Sequence, residues 1–204
     1  MQNKPLFVTG IGTGIGKTLI SAILVEKLKA DYWKPIQSGD LDQSDTMKVQ
    51  QLVSNTKSIF HPEAYQLTQP YSPHKSADLD GITIEEAKIK MPATDNILLI
   101  EGAGGLMVPL NDHYLMIDLI VQLNSEVVLV SQNYLGSINH TLLSAEALKQ
   151  RNIPVKGIIF NGETNPSTED YILTYTGLKL LGRIPAFESI TVQTVTDAGN
   201  LIAL

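Results

Sequence analysis

Apolar residues alternate between two patterns along this chain. Short, nearly continuous apolar runs occupy residues 6–9, 97–101 (ILLIE), 127–131 (VVLVS), 155–161 (VKGIIFN) and 180–184. They are too short for core helices and each ends in Gly, Pro or a polar residue, which predicts strands. Continuous rather than alternating apolarity predicts a parallel sheet covered on both faces. Between these runs lie stretches with helical spacing. Leu19, Ile20, Ile23, Leu24 and Leu28 share one side of residues 17–30, and Ile138, Leu142, Ala145 and Leu148 one side of residues 138–150. Shorter helices are expected over 116–123 and around 167–177, with a weaker strand over 32–37 and a weaker helix over 45–53. Residues 60–81 are rich in Pro, Ser and His and have no clear period. A connection of that length suggests a functional loop.

Strand and helix in alternation give an α/β fold: a doubly wound, mainly parallel sheet in a three-layer, P-loop NTPase-like domain. One such domain is expected over residues 1–204, since no repeat, low-complexity tract or linker interrupts the chain. Ligands of these sheets sit beyond the carboxyl ends of the strands, so the residues just after each strand are the ones to inspect.

Composition narrows the function classes. The hydrophobic share is 43% of 204 residues, enough to offset ordering entropy and exclude a disordered chain. With 15 Lys+Arg against 21 Asp+Glu the net charge is −6, and the pI is near 5.1. That argues against nucleic acid or an anionic membrane as the main partner. No apolar run reaches the roughly 18 residues of a membrane helix. The first ten residues leave no room for a signal peptide before the first strand. The chain has no Cys, so no disulfide or cysteine–metal scaffold is possible, which fits a reducing compartment. A cytoplasmic location is the expectation.

The strongest chemical signal follows the first strand, where residues 10–18 read GIGTGIGKT. Glycines let backbone N–H groups turn toward a phosphate chain, and the helix starting near Lys17 adds its positive end. Lys17 can reach the outer phosphates and the Thr18 hydroxyl can ligate magnesium. The usual spacing would put Gly at position 11, which is Ile here, so the loop is one residue longer. Glu101 ends a buried strand in LLIEGAGG. A carboxylate there is costly unless paired, hydrogen-bonded or on a metal, and beside a phosphate loop magnesium is the natural partner.

Other positions keep two readings. Lys34, in WKPIQSG, and Ser38 can face the same phosphate or be a surface Lys and a turn Ser. Ser44 and Asp45 serve equally well as a helix cap. In LGSINH, Ser137 can cap the next helix, or that helix start can bind a carboxylate. Asn161 can read a base edge or simply form a turn with Gly162. His74, in SPH, reads as a loop residue with no assigned role.

Taken together, GIGTGIGKT, WKPIQSG, the SD pair, SPH, EGAGG, LGSINH and the Asn after GIIF resemble the dethiobiotin synthetase family, in order and over nearly the whole chain. The long phosphate loop is that family's own form. The resemblance implies an enzyme of biotin synthesis that closes the ureido ring of dethiobiotin from 7,8-diaminononanoate, carbon dioxide and ATP. It also implies magnesium and a homodimer. Carried over residue by residue, Gly14, Ile15, Gly16, Lys17 and Thr18 bind phosphate. Thr18, Asp45 and Glu101 hold magnesium, and Lys34 is catalytic alongside Lys17. Ser38 touches substrate, and Glu101, Gly102, Ala103 and Gly104 line the nucleotide site. Asn161 with Gly162, and the backbone of Pro185, Ala186 and Phe187, hold adenine. Gly136, Ser137, Ile138 and Asn139 receive the substrate's carboxylate end from across the dimer. Gly12 and Gly162 stand where acidic residues are often found, and nothing is carried over beyond Phe187.

The competing reading is a partitioning-type P-loop ATPase acting as a nucleotide-dependent switch. Such proteins carry a signature Lys five residues before the phosphate-loop Lys, a position held here by Gly12. A cobyrinate-type amidotransferase would need a nucleophilic Cys, and a GTPase an Asn-Lys-x-Asp base reader; the chain has neither.

Overall fold

Every residue of the first strand, β1 (Leu6–Gly10), is buried. Phe7 packs into the core on one face of the sheet and Val8 into the core on the other. This two-sided burial is the physical origin of its unbroken apolar run. The computed structural model describes residues 4–204. The other strands are β2 (Asp31–Trp33), β3 (Ile36–Ser38), β4 (Phe60–His61), β5 (Tyr65–Leu67), β6 (Leu98–Gly105), β7 (Glu126–Gln132), β8 (Val155–Asn161) and β9 (Leu180–Ile184). Seven form one sheet in the order β4-β2-β6-β1-β7-β8-β9, with every pair parallel, and β3 and β5 form a small parallel pair.

Helices cover both faces. Helix α1 (Lys17–Leu28) packs with α2 (Asp45–Leu52) and α7 (Val192–Ala198) on one side. Ile20, Ile23, Leu24, Val49 and Val195 bury there against Val8, Leu99 and Val128. On the other side lie α4 (Met116–Gln122), α5 (Ser137–Gln150) and α6 (Pro166–Thr176), whose Ile117, Ile120, Leu148 and Ile172 meet Phe7, Ile100 and Leu129. Helix α3 (Pro73–Leu79) lies outside these layers, against β3 and β5.

After β1 the chain runs to β2 on one side, and after β6 it crosses to β7 on the other. The reversal falls between the adjacent strands β1 and β6, whose carboxyl ends are the expected ligand crevice. Both carry glycines there. β6 continues through them to Gly105, opposite Gly10, and so extends past the expected end at residue 101. A Cβ at Gly102 would sit 2.8 Å from the Phe7 ring, so the strand can lie this close only as glycine.

Two further expectations change. The strand foreseen over 32–37 is two strands in two sheets. Pro35 has no N–H to continue a ladder, and its carbonyl instead accepts from Ala64 and Tyr65, drawing the following residues toward β5. Residues 60–81 hold β4, β5 and α3 rather than an irregular loop. Helix α7 was not foreseen either. It is one short element capped by Thr191, and within it only Val195 and Ala198 are buried, too few for a visible period.

Candidate active site

The loop from β1 to α1 is shaped by left-handed glycines. Gly16, the N-cap of α1, has φ +90°, and a Cβ there would lie 2.1 Å from the Asn161 amide nitrogen. A glycine cap offers no side chain to the first-turn N–H groups of α1, and no acidic residue occupies that turn. These donors remain available to an anion. Lys17 folds back along the loop and its Nζ donates to the Gly12 carbonyl at 2.8 Å. Burial pulls its pKa from an ordinary 10.5 to about 8; Lys34 pushes the same way, while Glu101 and Asp45 oppose.

Three charged side chains converge beside this loop: Lys34 after β2, Asp45 at the start of α2 and Glu101 within β6. Lys34 sits where Pro35 breaks the strand and is 4% exposed. Its Nζ lies 2.9 Å from Asp45 Oδ2 and 3.4 Å from Glu101 Oε1. Burial alone would push the Lys34 ammonium down, but the two carboxylates more than offset it and hold the pKa above the ordinary lysine value. Burial likewise raises Asp45, and Lys34 outweighs it to leave that carboxyl below its usual range. Glu101 Oε1 accepts the Thr18 hydroxyl at 2.9 Å. The cap ambiguity resolves in favour of Ser44, which accepts from Met47 N at 3.3 Å and leaves the Asp45 carboxylate free to face Lys34.

These residues line one cavity of about 610 Å³. Ser38, Gly102, Ala103 and Gly104 line it too, and the buried Ser38 hydroxyl has no hydrogen-bond partner among the described residues. Asn161 stands beside the loop, its amide donating to the Ile15 carbonyl at 2.9 Å. Gly162 N donates to the Ile184 carbonyl at 2.8 Å, which joins the Asn161 turn to the segment of Pro185, Ala186 and Phe187. Neither group lines the cavity. Gly136, Ser137, Ile138 and Asn139 form the N-terminus of α5 and do not line it either. Leu135, just before them, is fully exposed.

Several residues of the site escaped the sequence. Tyr32 donates to Glu101 Oε2 at 3.0 Å. Gln37 Oε1 accepts the Asp45 backbone N–H at 3.2 Å. Asp40, Tyr71 and Ser72 form a further wall of the cavity. The signals for that wall were the unusual length of residues 60–81 and the SPH motif that begins at Ser72. Its docking point is Gly39, at φ +70°, where a Cβ would meet Pro70 at 2.6 Å.

The donor set suits magnesium. Thr18, Asp45 and Glu101 supply three hard oxygens, and the Lys34 ammonium already bridges the two carboxylates, so cationic charge belongs between them. No group of three or more His, Cys, Asp or Glu side chains is found among the described residues.

A family model described as an AAA domain matches residues 4–194. The chain is 54% identical to the ATP-dependent dethiobiotin synthetase BioD of Christiangramia forsetii, covering 95% of each chain. It is 53% identical to that of Cytophaga hutchinsonii, over 95% of this chain and 94% of the other. The chain belongs to the ATP-dependent dethiobiotin synthetase family. A Brucella ovis member is 47% identical over 93% of this chain and 90% of its own. Among solved structures, the Pyrococcus furiosus cell division ATPase MinD matches with a TM-score of 0.61 at 13% identity, over 97% and 98% of the two chains. A ParA family ATPase from Chlorobium tepidum matches at 0.58 and 16%, over 97% and 99%. At such identities the likeness concerns the fold alone. The dethiobiotin synthetase family and these ATPases thus share the P-loop architecture read from the sequence. No helix of the described residues is long and apolar enough to cross a membrane.

Proposed function

We propose that this chain is an ATP-dependent dethiobiotin synthetase, an ATP-consuming cyclo-ligase of biotin synthesis whose substrates are small molecules. The observation that carries the reading is the convergence of Lys17, Thr18, Lys34, Asp45 and Glu101 on one cavity, in a chain about half identical to members of that family.

The substrate supplies both nucleophiles, so the site needs no nucleophile of its own. One neutral amine of 7,8-diaminononanoate adds carbon dioxide and loses a proton, giving a carbamate. A carbamate oxygen attacks the γ-phosphorus and ADP leaves. The second amine then attacks the carbonyl carbon of the mixed anhydride, expelling phosphate and closing the five-membered urea ring. Free alkyl amines have a pKa of about 10. The positive charge of Lys34 favours their neutral form. Loop N–H groups and Lys17 hold the triphosphate, and Lys34 meets the transferring phosphoryl group and the carbamate. Thr18, Asp45 and Glu101 would hold magnesium, which when bound neutralises phosphate charge. Asn161, Gly162 and the backbone of residues 185–187 would receive adenine, and the unpartnered Ser38 hydroxyl would bind substrate.

The enzyme acts as a cytoplasmic homodimer of single P-loop domains in this reading. Residues 136–139 of the partner subunit would complete the substrate site, which fits their absence from the cavity of their own chain and the full exposure of Leu135. ATP hydrolysis assayed with and without diaminononanoate and bicarbonate tests the proposal. Turnover that requires both is expected, and turnover indifferent to both would contradict it.

A further inference from the structure

Glu101 is 1% exposed, and each of its oxygens has a different neighbourhood. Oε1 takes the Thr18 hydroxyl and the Lys34 ammonium. Oε2 takes one donor, the hydroxyl of Tyr32 at 3.0 Å. The sheet puts that hydroxyl there. Tyr32 is in register with Leu99 on the neighbouring strand, and Leu99 and Glu101 share a face, so Tyr32 lies diagonally below Glu101. A tyrosine is long enough to span the diagonal. Its ring is fully buried beneath α1, 6.0 Å from the Phe60 ring, so the hydroxyl has little freedom to point elsewhere.

We propose that Tyr32 is a positioning residue for the metal site: its hydroxyl locks the Glu101 carboxylate so that Oε1 faces Thr18 and the phosphate loop. Burial, and then the Glu101 charge, hold the Tyr32 phenol well above its ordinary pKa, so it stays a donor throughout the working pH range. The proposal rests on reading Glu101 as a magnesium ligand.

The experiment measures Mn2+ binding in the presence of ADP by electron paramagnetic resonance, for the wild type, Tyr32→Phe, Glu101→Gln and the double variant. Outer partners of metal ligands typically contribute about tenfold or more to metal affinity, so Tyr32→Phe should bind Mn2+ about tenfold more weakly. Its metal-free ADP affinity should stay within about twofold of wild type, a split that general loosening of the fold would not give. The double variant should bind no more weakly than Glu101→Gln alone, because Tyr32 acts only through that carboxylate. Wild-type Mn2+ affinity in Tyr32→Phe alongside a weakened Glu101→Gln would overturn the positioning role and leave the ligand reading intact. Unchanged affinity in Glu101→Gln would remove the ligand reading and the proposal with it. Should Tyr32→Phe fold poorly, the double variant decides, since it leaves no carboxylate oxygen without a donor; weaker Mn2+ binding there than in Glu101→Gln alone would overturn the proposal.

Discussion

Lys34 stands between Asp45 and Glu101, at 2.9 and 3.4 Å, while Lys17 reaches back to its own loop at Gly12. The two lysines therefore differ in what they meet. In the proposed mechanism Lys34 would face the transferring group rather than the nucleotide tail, so its contribution should appear mainly in the transition state. Lys34→Ala is expected to lower kcat at least about a hundredfold while changing the ATP dissociation constant far less. Equal kcat with much weaker ATP binding would contradict this. Lys17 carries a pH signature. Its pKa of about 8 means that it is protonated below pH 8 and neutral above, and phosphate binds the protonated form. ATP affinity should hold steady below pH 8 and weaken above it, by up to about tenfold per pH unit. Calorimetric titrations from pH 7 to 9.5 measure this, and a flat profile would count against the role of Lys17. At this scale the sequence was informative where a charged side chain follows an apolar run, as at Lys17, Lys34 and Glu101. It was silent on Tyr32, because a tyrosine in an apolar strand reads as core until its hydroxyl is seen to touch a carboxylate.

Strands buried on both faces were the most legible elements. Val155–Asn161 and Leu180–Ile184 run as the apolar pattern predicts, because their buried apolar residues outweigh the single cation in each, Lys156 and Arg183. The β3–β5 pair was hidden, since each strand has three residues and its partner lies about thirty residues away. The phosphate loop is legible as glycine, and at Gly16 the structure supplies the reason. At Gly16 the left-handed φ and the 2.1 Å approach of Asn161 both exclude a Cβ. Gly16→Ala should lose about 1–3 kcal/mol of stability from backbone strain, together with most of its nucleotide affinity. Adding Asn161→Ala should restore part of the stability, since the overlap is removed and the strain is not. Denaturant titration of the two variants checks this, and a Gly16→Ala protein as stable as the wild type would refute it.

The whole molecule presents its chemistry at one edge of the sheet, yet residues 136–139 stand on that edge outside the cavity. The proposed two-fold dimer, with a composite site, would account for this placement. Lys34→Ala and a disruptive change at Asn139 would then damage the same site from different chains. In a mixed dimer one site collects both lesions and the other neither, so random exchange should recover roughly a quarter of wild-type activity. No recovery, with exchange confirmed by a tagged-subunit pull-down, would place the complete site within one chain.

In the proposed mechanism a carbamate oxygen, and not water, attacks the γ-phosphorus. A single-turnover reaction with oxygen-18-labelled carbon dioxide in unlabelled water, quenched before the label exchanges, tests it directly. The phosphate released on ring closure should carry one labelled oxygen, because the oxygen that bridged carbon and phosphorus leaves with phosphorus. Unlabelled phosphate would mean that water is the nucleophile, the chemistry of a switch ATPase rather than of a dethiobiotin synthetase.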